Sequence, residues 1–241
     1  MSGSEIETLF GVRHPISAAT HLAWCFVSAF VAARLVRQCR GDRVKRVSVA
    51  CFGVSMVVLY GVSALFHSVP AGRPDLVRTF RLLDFSAIYV LIAGSYTPAF
   101  AVLLTGRLRV AMLAWVWGLA AIGSACKWLL PLPLDELSMA LYIATGLAGF
   151  LPARALVRAV GPRPLLWALA GCVCYSVGGM CDALHGPVLV PGWVAGHEML
   201  HLLDICGTLT HVFFVARYVV PFRREETSYA GMAGMNPAQG G

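Results

Sequence analysis

Charge is what this 241-residue chain has least of. Asp, Glu, Lys and Arg together make up 13% of it, against about 25% in an ordinary soluble domain. So little charge excludes a water-facing globular surface. Other absences narrow the class further. No stretch reads as a soluble domain, no internal repeat is visible, and no amphipathic pore-forming segment stands out. No cleavable signal peptide is expected, because the first apolar run, near Ile16, is long enough to span and has no basic segment ahead of it. The eight cysteines, Cys25, Cys39, Cys51, Cys126, Cys172, Cys174, Cys181 and Cys206, fall mostly inside apolar runs. That is not the layout of a secreted disulfide framework, and buried structural thiols are expected instead.

What is present is apolar. Hydrophobic residues account for 58% of the chain and the mean hydropathy is +0.73. Stretches of about 20 such residues recur, each able to cross a hydrocarbon core roughly 30 Å thick. Seven are expected, over 16–36, 47–67, 82–104, 108–130, 137–157, 165–184 and 197–220. They predict an all-α integral membrane protein, a seven-transmembrane helix bundle occupying residues 1–222. The small, polar tail 223–241 reads as disordered. Small residues in the sixth stretch, Gly171, Ser176, Gly178 and Gly179, predict close helix packing.

The net charge of +7 therefore bears on orientation and lipid head groups, not on nucleic acid. Fourteen basic residues fall on one side: Arg34, Arg37, Arg40, Arg43, Lys45, Arg46, Arg107, Arg109, Arg154, Arg158, Arg163, Arg217, Arg223 and Arg224. Five fall on the other, Arg13, Arg73, Arg78, Arg81 and Lys127. The bias predicts an external N-terminus and a cytoplasmic C-terminus. The expected location is the bacterial plasma (inner) membrane. Membrane lipids are the expected partners, with self-association left open.

Against this apolar background, ionisable residues stand out. "YGVSALFH" ends the second stretch and puts Ser63 and His67 on one helix face. "RLLDFSAIY" opens the third and places Asp84 in its first turn. "GHEMLH" opens the seventh and places His197 and His201 at i, i+4. Antiparallel threading brings all of these to one depth. Three imidazoles with an open fourth position suit a catalytic Zn²⁺, although copper, iron and nickel also accept such ligands. Asp84 is then the candidate general base and acid, and Ser63 the candidate group that orients water or an oxyanion. Asp204 shares the face of His197 and His201 and is also a candidate extra ligand, and His21 lies one turn into the first stretch. Both are candidates for supporting those histidines, as is Asp182, for which an interfacial role is the commoner reading. His14 and His185 are expected to be interfacial and solvated. His211 is ten residues beyond His201, about 15 Å deeper, and an interhelical hydrogen bond is expected for it.

"ALFHSVP", "RLLDFSAIYVLIAGSYTP", "YSVGGMCDALHGP" and "VPGWVAGHEMLH" resemble the hemolysin III family. That family is related to progestin and adiponectin receptors and more distantly to alkaline ceramidases. The resemblance covers nearly the whole chain. It implies seven helices around a zinc held by His67, His197 and His201, with Ser63 and Asp84 beside it. Through the ceramidases it implies hydrolysis of a lipid amide, a sphingolipid among the candidates. This sequence departs from the pattern at Phe85, where a histidine is frequent, at Asp204, where an aliphatic or small residue is usual, and at Asp182, where an aromatic is usual.

Blander readings stand beside these. The histidines could be core groups bonded to neighbouring helices. Asp84 could pair with Arg81 or cap its helix, and Ser63 could bond its own i−4 carbonyl. Two other functions compete with the zinc-dependent lipid hydrolase. One is a non-enzymatic receptor or cytolysin with structural zinc. The other takes "HEMLH" as H-E-x-x-H and makes Glu198 the base of an intramembrane metalloprotease.

Overall fold

The computed structural model describes residues 12–129, 142–147, 149–190 and 194–224. Its regular elements there are helical. We number them α1 (Pro15–Gln38), α2 (Arg43–Ser68), α3 (Pro74–Leu103), α4 (Gly106–Leu129), α5 (Ala153–Val160), α6 (Pro162–Ala183) and α7 (Gly196–Phe214). A π-helical turn, Val215–Val219, continues α7.

Among the described residues, six helices are long and apolar enough to cross a membrane: α1, α2, α3, α4, α6 and α7 with its extension. The fifth expected stretch, 137–157, lies partly outside the described residues. What is described of it is helix at 142–147, a turn, and the start of the short α5. The polar tail from 225 onward also lies outside them.

Helix starts follow local chemistry. Pro15, Pro74 and Pro162 each open a helix, where the missing N–H costs nothing and the fixed φ already suits the turn. Asp42 caps α2 by accepting from the Lys45 backbone N–H at 2.9 Å. Proline at the start of α3, with Asp75 in its first turn, has a consequence for the site. The helix begins eight residues before the expected 82, so Asp84 sits well inside it rather than in its first turn. The helix-capping reading of Asp84 is removed.

Consecutive helices α1 to α4 pack as antiparallel neighbours, and α6 packs along α7. Between α2 and α3 the core holds Phe52, Met56, Tyr60, Tyr89 and Phe100, all nearly inaccessible. The glycines of α6 and α7 let two backbones approach. Gly171 lies against His211 and Thr210, Gly178 against Leu200 and Leu203, and Gly207 against the Tyr175 ring. A side chain at any of these would push the pair apart. Large apolar side chains such as Phe26, Phe30, Val54, Ile122 and Leu166 point outward, as lipid-facing positions should.

At the end carrying both the α2 start and the α7 finish, cations satisfy backbone carbonyls. Lys45 donates to Val220 O at 3.1 Å and to Phe222 O, and Arg224 donates to the carbonyls of Val102 and Leu103 at 3.3 Å. The opposite end, where α2 finishes and α7 starts, carries the ionisable cluster.

The cysteines correct one expectation. All eight are free, but only Cys39 is buried; Cys206 is exposed and the other six are partly exposed. On a membrane helix the outward face meets lipid, so an apolar thiol has no need of the protein core.

Candidate metal centre

The site is assembled from two helical stripes. On α2, Tyr60, Ser63 and His67 follow one another at i, i+3, i+7. On α7, His197, His201, Asp204 and Thr208 do so at i, i+4, i+7, i+11. Because the two helices run in opposite directions, His67 at the end of α2 meets His197 and His201 at the start of α7.

One ligand atom from each of His67, His197 and His201 falls within 4.8 Å of the others. The Nε2 atoms of His197 and His201 are 3.1 Å apart. The three ring centroids are separated by 4.6 to 5.1 Å. His67 is 1% exposed and His201 5%. Both nitrogens of His67 are buried with no hydrogen-bond partner. Leaving a buried polar atom unsatisfied costs about 1–3 kcal/mol. A packing histidine would have found a partner, so the donor set fits a metal ion.

The outer nitrogens of the other two imidazoles are held. His197 Nδ1 lies 2.9 Å from Asp182 Oδ1 on α6. Metal-bound histidines characteristically donate their other N–H to such a carboxylate, which fixes ring orientation and tautomer. Asp182 is thus drawn to the cluster instead of standing as a solitary interfacial acid. His201 Nδ1 lies 2.7 Å from His21 Nε2, so α1 contributes to the same group. His21 is 2% exposed, and its own Nδ1 has no partner.

Asp84, 8% exposed, comes from α3. The Ser63 hydroxyl faces its carboxylate, and His197 is close enough to feel its charge. Ser63 is itself 1% exposed. The α2, α3 and α7 side chains expected at one depth are therefore brought together. Phe85, next to Asp84, packs under cations, with Lys127 Nζ 4.0 Å and Arg81 Cζ 5.2 Å from its ring centre.

Other expected residues lie elsewhere. Asp204 is not among the three grouped ligands. It lies one turn deeper, beside Tyr60 and Tyr175. There Thr208 Oγ1 is 2.7 Å from the Tyr60 hydroxyl and 2.9 Å from that of Tyr175, and Tyr60 also donates to the backbone carbonyl of Asp204 at 3.4 Å. Sequence reasoning missed Tyr60, Tyr175 and Thr208, although the stripe spacing contains two of them. His211 is not interhelically bonded as expected: its Nδ1 donates to Gly207 O at 2.9 Å within α7, and its ring lies along Tyr175. His185 is exposed, as expected.

Glu198 is engaged at its own helix start. Its Oε2 accepts from the Ala195 backbone N–H at 3.0 Å and its Oε1 from Ser17 Oγ at 3.4 Å. It acts as a helix-start cap, with both carboxylate oxygens already accepting hydrogen bonds, which argues against a metalloprotease base.

His14 is the residue that sequence reasoning misplaced. Expected to be solvated, it is half-buried against the cluster, its ring 5.3 Å from that of His67 and 5.9 Å from that of His197. Its backbone N–H donates to His67 O at 3.0 Å. Arg13 donates to Phe66 O at 2.9 Å and lies over the Phe66 ring. Burial and the neighbouring Arg13 push the His14 imidazole down to about 4, leaving it neutral at pH 7. A signal for this exists in the chain: α1 starts at Pro15 where α2 ends at Ser68, so residue 14 must lie beside residue 67.

Beside His201, between α1 and α7, a crevice of about 40 Å³ is lined by Ile16, Ser17, Thr20, Val194, Glu198, His201 and Leu202. It has room for water next to an imidazole, but not for a lipid chain.

Fold and site together define a polytopic helical membrane protein with a candidate tri-histidine metal centre inside the bundle. A family model described as "Haemolysin-III related" matches residues 11–212, and the chain belongs to that family. It is 33% identical to "Hemolysin-3" of Bacillus cereus over 175 residues, covering 73% of this chain and 76% of that protein. To the "Hemolysin-3 homolog" of Bacillus subtilis (strain 168) it is 35% identical over 132 residues, 55% and 61% of the two chains. To the human "Monocyte to macrophage differentiation factor" it is 24% identical over 211 residues, 86% and 84%.

Proposed function

We propose that this protein is a zinc-dependent membrane hydrolase of a lipid amide or ester. The carrying observation is the pairing of His67, whose buried nitrogens have no partner, with His197 and His201, and the Asp84–Ser63 pair near enough for Asp84 and His197 to feel each other's charge. His67, His197 and His201 would hold the ion. When bound there, a divalent zinc supplies Lewis acidity to a water and to the substrate carbonyl.

The chain's own residues do the rest. Asp84 accepts the proton of the attacking water as the water oxygen bonds to the carbonyl carbon. It then delivers that proton to the departing nitrogen or oxygen as the C–N or C–O bond breaks. The Ser63 hydroxyl holds the carboxylate in place. Asp182 and His21 fix the rings of His197 and His201. The apolar walls favour a substrate arriving from the bilayer, a sphingolipid-like amide being the first candidate. The orientation we adopt has the N-terminus and this site outside and the C-terminus cytoplasmic, in the plasma membrane of a bacterium.

A second reading, a non-enzymatic receptor or cytolysin with structural zinc, is favoured by the name of the Bacillus cereus relative. The test is fatty-acid release from ceramide and from lipid esters in mixed micelles by the zinc-loaded protein. Release is expected, and Asp84→Asn should abolish it while zinc content is unchanged. Zinc-replete protein that hydrolyses none of these lipids would leave the second reading standing.

A further inference from the structure

The end of the bundle opposite the histidines, where α2 starts and α7 finishes, carries a larger cavity of about 620 Å³ between the first turns of α4 and α5. Leu108 and Leu151 form its apolar wall, 43% and 68% exposed, and Arg154 and Arg158 its charged one. The short α5 is built for such a boundary. Its Leu156 is buried in the core with Ala155 and Ala159 packed against that core, while Arg154 and Arg158 are exposed. Standing at i, i+4, the two guanidinium groups share the outward face. No side chain caps the start of α5, and its first turn lines the cavity, so the positive end of the helix adds to their charge.

We propose that this cavity is a binding site for an anionic phospholipid of the surrounding membrane, its phosphate on Arg154 and Arg158 and an acyl chain along Leu108 and Leu151. Guanidinium groups present planar pairs of donors that match phosphate oxygens. Charge at this end calls for such a partner. Among the described residues, Asp42 is the only carboxylate there, and it is engaged by Lys45, whose backbone N–H it accepts at 2.9 Å and whose Nζ is 3.8 Å away. No described acceptor holds either Arg154 or Arg158, and Arg107, Arg109 and Arg163 stand at the neighbouring helix starts. The apolar wall decides between sources of phosphate. A soluble anion gains nothing from Leu108 and Leu151, whereas a lipid chain covers them. The volume lies within the range of about 300–1,000 Å³ usual for small-molecule sites.

This site is independent of the metal centre, and so is its test. Full-length protein in detergent is titrated with phosphatidylglycerol or phosphatidylcholine, and bound lipid is counted by native mass spectrometry. Wild type should hold phosphatidylglycerol in preference to phosphatidylcholine. Removing both charges in Arg154→Gln/Arg158→Gln should weaken phosphatidylglycerol binding by about tenfold or more. Arg34→Gln/Arg37→Gln removes the same charge from exposed positions of α1 at the same end and should bind like wild type. Arg154→Lys/Arg158→Lys keeps the charge but not the paired donors, and should recover part of the lost affinity. Equal weakening in the two glutamine variants would overturn the proposal, because diffuse attraction to a basic surface would then suffice. Phosphatidylcholine held as tightly as phosphatidylglycerol would overturn it too, as would complete displacement of the lipid by inorganic phosphate. A lysine variant that recovers nothing would trace the loss to packing of α5 and end the proposal as well.

Discussion

Two polar clusters lie one above the other on the same pair of helices, and they differ in how their hydrogen bonds are met. In the deeper one, Thr208 holds the hydroxyls of Tyr60 and Tyr175 at 2.7 and 2.9 Å, and Tyr60 reaches the Asp204 carbonyl. In the shallower one, two Nε2 atoms face each other at 3.1 Å and His67 has partners for neither nitrogen. Both are surrounded by lipid-facing helices, so both meet the same penalty for unsatisfied groups. The deeper cluster satisfies its hydroxyls internally and has the character of interhelical glue. The shallower one instead gathers one ligand atom from each of three imidazoles within 4.8 Å, an arrangement that could hold a cation.

The comparison breaks first if the shallow cluster holds no metal. Elemental analysis of gently purified protein should find near-stoichiometric zinc in wild type and none in His201→Ala. With free metal at a thousand times its dissociation constant, binding adds about 4 kcal/mol of stability. Chelation should therefore lower the thermal midpoint of wild type clearly and leave that of His201→Ala unmoved.

Next in size is the deeper cluster, where stability should fall without any change in zinc. Tyr60→Phe leaves Thr208 short of one partner and should cost about 1–2 kcal/mol, read by denaturant titration in mixed micelles. A Tyr60→Phe protein that loses its metal would show that the two clusters act as one.

Asp182 sharpens the boundary of the shallow cluster. Asp182→Asn keeps a hydrogen-bonding group but removes the charge behind His197, and the zinc dissociation constant should rise about tenfold. An unchanged constant in a competition titration would reduce Asp182 to a surface contact.

The smallest effect belongs to Glu198. As a helix-start cap its loss in Glu198→Gln should cost no more than about 1 kcal/mol, with zinc content and any lipid hydrolysis retained. Loss of a hydrolytic activity in this variant would favour the protease reading that the capping geometry argues against.

Much of the site is legible along the chain because it follows a local rule. Ser63 with His67, and His197 with His201, are i, i+4 pairs, and the helix period places such residues on one face whatever that helix packs against. Asp84 is legible as a member but not in its setting. "RPDLVRTFR" is polar enough to pass for a loop, whereas proline at the helix start and Asp75 behind it begin α3 at residue 74. Asp204 shares the right face, yet its depth puts it with the tyrosines. His14 escapes a reading centred on the apolar runs, because it lies one position before the first helix begins.

Composition and period alone determined that the chain lives in a membrane, roughly where its helices cross, and which side chains share a stripe. These are properties of neighbouring residues and of lipid as solvent, and they need no partner to be evaluated. Tertiary structure decided the rest: that Asp182 orients His197, that His21 backs His201, that His14 stands beside the triad, and that Glu198 is turned to its own helix start. Each of those depends on which donor meets which acceptor once the helices are packed, over separations from 3 to 181 residues. The direction in which a side chain points is set by what surrounds it in space, and the helix period alone does not supply that.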